Sequence, residues 1–150
     1  MNNQNNIQVI VHGESASATR LNLTSGKFKL VIDEPESMGG TDASPTPVQV
    51  LLMGLAGCLN VTGHLVAQQQ GLELQGMQIK ISGDLDPSAF LGRSFEARAG
   101  FQRIEVTIIA DAPDATEESL RAWVEETERR CPVTDNIHAE TEIAIAVKRA

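Results

Sequence analysis

Two cysteines, Cys58 and Cys131, are the residues of this chain with the most reactive side chains. The thiolate, and not the thiol, is the nucleophile and metal ligand, and an ordinary cysteine with a pKa near 8.5 is only a few per cent ionised at neutral pH. Two sulfurs are too few for a thiolate zinc site, and His64 and His138 lack the close paired spacing that would complete one. Two readings stay open. Cys58 lies on a stripe with Leu51, Leu55, Thr62 and Leu65, where a cysteine often serves as a small buried hydrophobe. Cys131 precedes Pro132 at a helix end, a poor place for mere filler, so the pair also reads as two redox partners. A disulfide between them requires Cα atoms within about 7 Å.

A cysteine on an apolar stripe needs help to act as a nucleophile, because burial raises its pKa further. A hundredfold gain in ionisation takes about 2.7 kcal/mol. One guanidinium at about 4 Å is worth roughly 4 kcal/mol at an effective dielectric near 20. Cys131, at the C-terminal end of a helix, is expected to remain a thiol, since that end disfavours negative charge. Arg129 and Arg130 beside it either offset that effect or, as is more usual on a last turn, only complement the helix dipole. His64 falls on a different helical face from Cys58 and reads as a satisfied core or interface histidine. His12 and His138 carry no signal.

These residues sit in a chain of 150 residues, 41% apolar and 21% charged, with four Phe, one Trp and no Tyr. That length suits a single domain, residues 1–150, with a mainly aliphatic core and no need of a disulfide staple. The net charge of −8 argues against nucleic acid, whose phosphates are bound by clustered Lys and Arg. Met1 to Asn6 shows neither a basic nor an apolar segment of a secretory signal, so a cytoplasmic location is expected. Ala43 to Leu72 is almost free of charge, but Gln49, Asn60, Thr62 and His64 interrupt it and basic flanks are missing, which argues against a membrane span.

The pattern along the chain is α+β. Strands are expected over Ile7–His12, Ala18–Leu23 and Phe28–Asp33, with Ser25-Gly26 as a turn. Glu34 to Pro47, dense in Gly, Pro, Ser and Thr, reads as an ordered loop. Thr46, Pro47 and Gln49 then form a helix start: N-cap, first-turn proline and capping-box partner. The helix runs to about Gln70, where Gly71 stops it, some 36 Å at about 1.5 Å per residue. So little charge around its circumference means cover on most sides, most simply by a second subunit. Leu74–Leu85 and Arg103–Ala110 alternate as two strands that can pair as a long hairpin. Asp114 with Glu117 suggests a second capping box, before a helix carrying Leu120, Trp123, Val124 and Cys131 that Pro132 ends or kinks. Glu140–Val147 reads as a final strand.

The run Met38-Gly-Gly-Thr-Asp-Ala-Ser-Pro-Thr-Pro-Val-Gln-Val-Leu-Leu-Met-Gly-Leu-Ala-Gly-Cys58, followed later by Cys131-Pro-Val133, resembles the OsmC/Ohr family of organic hydroperoxide reductases. The likeness extends from about Gly26 onward. It implies an OsmC-like fold, antiparallel sheets around a long central helix, and an intertwined homodimer with its sites at the subunit interface. It further implies that Cys58 is the peroxidatic residue and Cys131 the resolving one. An N-terminal arginine should steer the first thiol; Arg20 matches best, with Arg98 and Arg103 as alternatives. The substrate would be an organic hydroperoxide and the reductant a dithiol such as a lipoyl protein, with no metal or organic cofactor. One departure stands out. Members usually carry a glutamate in the first turn of the long helix to hold the arginine, whereas this turn reads Val48-Gln49. Gln49 can accept a hydrogen bond from a guanidinium but forms no ion pair. A non-enzymatic dimer that binds a small apolar ligand, or senses oxidants, is the alternative this departure favours.

Overall fold

The structure, a computed structural model, describes residues 6–149. Met1 to Asn5, on which most of the N-terminal signal reading rests, lie outside them. The order is β1 (His12–Ser15), β2 (Leu21–Ser25), β3 (Phe28–Ile32), α1 (Pro47–Gln70), β4 (Gly76–Asp84), β5 (Arg103–Asp111), α2 (Glu117–Arg130) and α3 (Pro132–His138). Two compact units divide the chain, one up to Leu51 and one from Leu52 onward.

In the first unit, β1, β2 and β3 form an antiparallel meander in that order. Gly26, at φ +56, turns β2 into β3, as the Ser25-Gly26 pair predicts. The first strand lies further along than expected: Ile7–Val11 stays outside the sheet and exposed, and pairing starts at His12 opposite Thr24. Apolar content marked Ile7–Val11, but the partner strand decides which residues pair.

The loop after β3 is ordered around one carboxylate. Asp33 is fully buried and accepts from the Glu34 N–H (2.9 Å), the Thr41 N–H (3.0 Å) and the Thr41 hydroxyl. The hydroxyl of Thr41 and the Glu34 N–H hold its pKa well below the usual carboxylate range, against the opposing effect of burial. Gly40 is required here, because a Cβ would lie 1.8 Å from the Glu34 carbonyl oxygen. The loop ends in the expected capping box: the Gln49 side-chain oxygen accepts from the Thr46 N–H (2.8 Å), and Thr46 Oγ1 from the Gln49 N–H (3.3 Å).

The second unit holds β4 and β5, paired antiparallel over nine residues each from Gly76↔Asp111 to Asp84↔Arg103. Met77, Ile79 and Ile81 of β4, with Ile104, Ile108 and Ala110 of β5, are half-buried on one face and pack in two clusters against α1. α1 contributes Leu55, Leu59, Thr62, Gly63, Val66 and Ala67 as its buried stripe. It ends where Gly71 takes φ +69 and the Leu72 N–H reaches the Ala67 carbonyl at 2.9 Å. Met53, Val61 and Leu65, on the rest of its circumference, are exposed. By length and mean hydropathy, 1.7 over its most apolar window, α1 could cross a membrane; its buried stripe is engaged by its own sheet and by α2.

Two expectations, the cap of α2 and the final strand, are corrected. α2 is capped by Thr116, whose Oγ1 accepts from the Ser119 N–H at 3.1 Å, and not by Asp114; Ser, Thr, Asp and Asn all cap well, and the backbone path selected the later one. The break expected at Pro132 is present: α2 ends at Arg130, and Pro132 is the first residue of α3. Glu140–Val147 forms no strand, and Ile143, Ile145 and Val147 are 80%, 91% and 96% exposed.

Candidate active site

Cys58 occupies α1 one turn after Gly54, and Cys131 occupies the junction where α2 ends and α3 begins. What brings them together is the seating of α2 on α1. Trp123 is 1% exposed, and its indole N–H donates to the Gly63 carbonyl at 2.8 Å. Gly63 allows the approach, because a Cβ there would lie 3.2 Å from the indole ring. At the other end of α2, the Arg130 guanidinium donates to the Gln69 side-chain oxygen at 2.6 Å. With α2 fixed on α1, Cys131 enters the cluster of Leu55 and Leu59, and Cys58, Ile79, Ile81, Ile104, Val133 and Ile137 pack around it.

The two thiols interact and remain unbridged. Cys131 is fully buried and Cys58 half-buried. Burial raises the Cys58 pKa and the neighbouring Cys131 thiol raises it further; the Val133 N–H and the Thr62 hydroxyl oppose this without prevailing. Cys131 moves the other way. Burial again acts to raise it, but the Thr134 hydroxyl, the Cys58 thiol and the N–H groups of Thr134 and Val133 outweigh burial and lower its pKa. Within this unit Cys131 therefore ionises more readily than Cys58. Its place at the C-terminus of α2 does not set the direction of this shift: Cys131 is also the N-cap of α3, and the Val133 and Thr134 N–H groups of that helix favour its ionised form.

No guanidinium is among the groups acting on Cys58 within this unit's described residues. Arg103 is exposed and paired with Glu105, and Arg98 is exposed beside Gly100. Arg20 belongs to the first unit, where it is exposed and its carbonyl accepts from the Ala16 and Ser17 N–H groups. Gln49 is occupied by its capping box. His64 is exposed, with Nδ1 2.9 Å from the Asn60 carbonyl oxygen. Among the described residues no cluster of His, Cys, Asp and Glu could hold a metal ion.

Two features escaped the sequence reading. Thr62 and Thr134 supply hydroxyls to the cysteines; Thr62 follows Cys58 by one helical turn and Thr134 follows Cys131 within one, a spacing that would have pointed to them. A groove of about 550 Å³ is bordered by Leu55, Leu59, Ile104 and Ile137, which also belong to the cysteine cluster, and reaches Val124 and Glu128 on α2.

Comparison with known proteins identifies the family and the fold. The family described as OsmC-like protein matches residues 40–146. The fold is shared with an OsmC-like protein of Mycoplasma pneumoniae, 17% identical, with 88% of each chain covered and a TM-score of 0.76. It is also shared with an organic hydroperoxide resistance protein OsmC of Legionella pneumophila, 21% identical, covering 87% of this chain and 89% of that one at a TM-score of 0.64. The organic hydroperoxide resistance protein OhrB of Bacillus subtilis, 22% identical, covers 86% of this chain and 89% of its own at 0.55. A search of curated protein sequences finds no significant match.

Proposed function

Because this chain belongs to the OsmC-like family, we propose that it is a thiol peroxidase that detoxifies organic hydroperoxides. The observation that carries the reading is the pair itself: one half-buried and one buried cysteine, in mutual contact, unbridged and walled by aliphatic side chains. An apolar surround favours an alkyl or lipid hydroperoxide over hydrogen peroxide. Solved structures with this fold that bear the name organic hydroperoxide resistance protein support the same class.

In the proposed cycle the Cys58 thiolate attacks the distal oxygen of ROOH. The O–O bond breaks, the alkoxide takes a proton and leaves as ROH, and Cys58 becomes a sulfenic acid. Cys131 then attacks the sulfenic sulfur, a disulfide forms, and the hydroxyl leaves as water. A dithiol such as a lipoyl protein reduces the disulfide by exchange and supplies the two electrons. Cys58 needs a cation for the first step, since burial and Cys131 both oppose its ionisation. Arg20 is the proposed source, acting in a homodimer. The downward shift of the Cys131 pKa suits the second step, where a thiolate is the attacking species. The proposed location is cytoplasmic, where thiols are kept reduced.

The test follows loss of an alkyl hydroperoxide with a dithiol reductant. Cys58→Ser should abolish turnover and Cys131→Ser slow it; unchanged turnover in Cys58→Ser would remove the mechanism. Gln49, engaged in its capping box, favours a second reading, a non-enzymatic dimer that binds a small apolar ligand or senses oxidants. A Cys58 pKa above about 8.5 in the assembled protein points to that reading, and one below about 7 to the enzyme.

A further inference from the structure

One buried charge in the first unit has no part in the proposed chemistry. Asp33, directly after β3, is fully buried, and no guanidinium or ammonium is among the groups acting on it. Its partners are dipoles: the Glu34 N–H at one carboxylate oxygen, and the N–H and hydroxyl of Thr41 at the other. Burying a charge is costly unless such donors surround it. An ionised carboxylate only accepts, so it matches three converging donors, whereas an amide of the same size would turn donors of its own toward them. The backbone of this loop is equally constrained. Asp42 is the one non-glycine residue at positive φ among the described residues, at +53, and its N–H donates to the Glu34 carbonyl at 3.1 Å. A conformation of this kind persists where its surroundings over-determine it.

Asp33 joins two places that the proposed reaction needs. The register of β2 and β3 pairs Leu21 with Ile32, so Asp33 falls opposite Arg20, and the Thr19 hydroxyl is among the groups that favour its ionised form. Arg20 is fixed at its backbone: its N–H donates to Ser17 Oγ at 3.0 Å, and its carbonyl accepts from the Ala16 and Ser17 N–H groups. The exposed side chain of Arg20 therefore springs from a rigid base. On the other side, the Asp33 N–H leaves the strand ladder and donates to the Pro45 carbonyl at 3.3 Å. Pro45 immediately precedes the Thr46–Gln49 cap from which α1 starts.

We propose that Asp33 is a positioning residue for the peroxidatic thiol: by joining the Arg20 end of β2 to the first turn of α1, it fixes the base from which the guanidinium reaches Cys58. Asp33 acts through Arg20 and not on the thiol, since a negative charge near Cys58 would only oppose its ionisation. Aim matters because the attraction halves when the distance doubles, and a guanidinium that wanders into water is screened by salt as well. Gln49 is occupied by its cap and forms no ion pair, so an acid in that turn does not hold the arginine here, and the frame around Asp33 sets its aim instead. This inference rests on the reading of Arg20 as the cation that ionises Cys58.

The test uses full-length chains carrying Cys131→Ser, in which Cys58 is the sole thiol, and reads the rate of its alkylation by iodoacetamide against pH. Arg20→Gln should move the midpoint upward and cut the rate at pH 7 by about tenfold or more. Asp33→Asn should move it the same way and cut the rate by about three- to tenfold. In the Arg20→Gln chain, adding Asp33→Asn should change nothing further. Thr41→Val, which keeps the carboxylate and removes one hydroxyl, should also move the midpoint upward, and Thr41→Ser should leave it at the parent value. Far-ultraviolet circular dichroism and sedimentation matching the parent qualify each variant. A role confined to the fold would lower Tm in Asp33→Asn and Thr41→Val without moving the Cys58 midpoint. That result, with Arg20→Gln still raising it, would overturn the inference and keep Arg20 as the activator. Equal effects of Asp33→Asn with and without Arg20 would overturn it as well. No effect of Arg20→Gln would remove the activator itself, and the inference with it.

Discussion

The indole of Trp123 donates to the backbone carbonyl of Gly63 across 2.8 Å and 60 residues of sequence. Cys58 precedes Gly63 on α1 and Cys131 follows Trp123 at the end of α2, so this contact sets the distance between the sulfurs. Trp123→Phe should remove the hydrogen bond while the Gly63 carbonyl keeps its helical partner, at about 0.5–1.5 kcal/mol. Gly63→Ala should push the ring away, at about 1–3 kcal/mol. Both are read by urea denaturation. The site prediction is sharper: in each variant, oxidation should join Cys58 and Cys131 more slowly than in the parent, which a purely global loss of stability below its midpoint would not cause.

Coupling between the thiols has a defined sign. The Cys58 thiol is one of the groups that lower the Cys131 pKa, and Cys131 is one that raises the Cys58 pKa. Cys58→Ser should therefore move the Cys131 titration upward, and Cys131→Ser should move the Cys58 titration downward. Thiolate ultraviolet absorbance against pH measures both. Thr134→Val should also raise Cys131, because the Thr134 hydroxyl is the strongest influence lowering it. Identical titrations in parent and variants would refute the coupling.

Asp33 links loop order to pH. Its folded pKa is depressed below the unfolded value near 3.9 by hydrogen bonds from Thr41 and Glu34. The stability it contributes is present in full above the unfolded value and is lost as pH falls toward the folded one. Asp33→Asn should thus lower Tm near pH 7 and flatten the decline of Tm below pH 4. A variant whose Tm declines as steeply in acid as the parent would contradict this.

Gln49 separates capping from chemistry. Gln49→Ala should cost about 0.5–2 kcal/mol by freeing the Thr46 N–H, while Gln49→Glu keeps the acceptor and adds a charge near the helix N-terminus. If a guanidinium is held there during turnover, Gln49→Glu should raise kcat/KM for an alkyl hydroperoxide, and stability should change little. Equal kcat/KM in Gln49→Glu and Gln49→Ala would assign this residue to the cap alone.

Local signals by themselves determined α1 from its Thr46-Pro47-Gln49 start to its Gly71 stop, the Gly26 turn and the β4–β5 pairing, because capping, positive φ and alternation act within a few residues. They also singled out Cys58 and Cys131 and, through the motif around them, the family. Tertiary structure alone decided the rest. Which way the Cys131 pKa moves depends on α3 starting where α2 ends, which a proline after a cysteine leaves open. Thr116 and Asp114 are equally able caps until the backbone path chooses one. Ile143, Ile145 and Val147 read as a strand in the sequence, yet a strand exists only beside an edge that can hydrogen-bond to it, and no local pattern specifies where that edge lies.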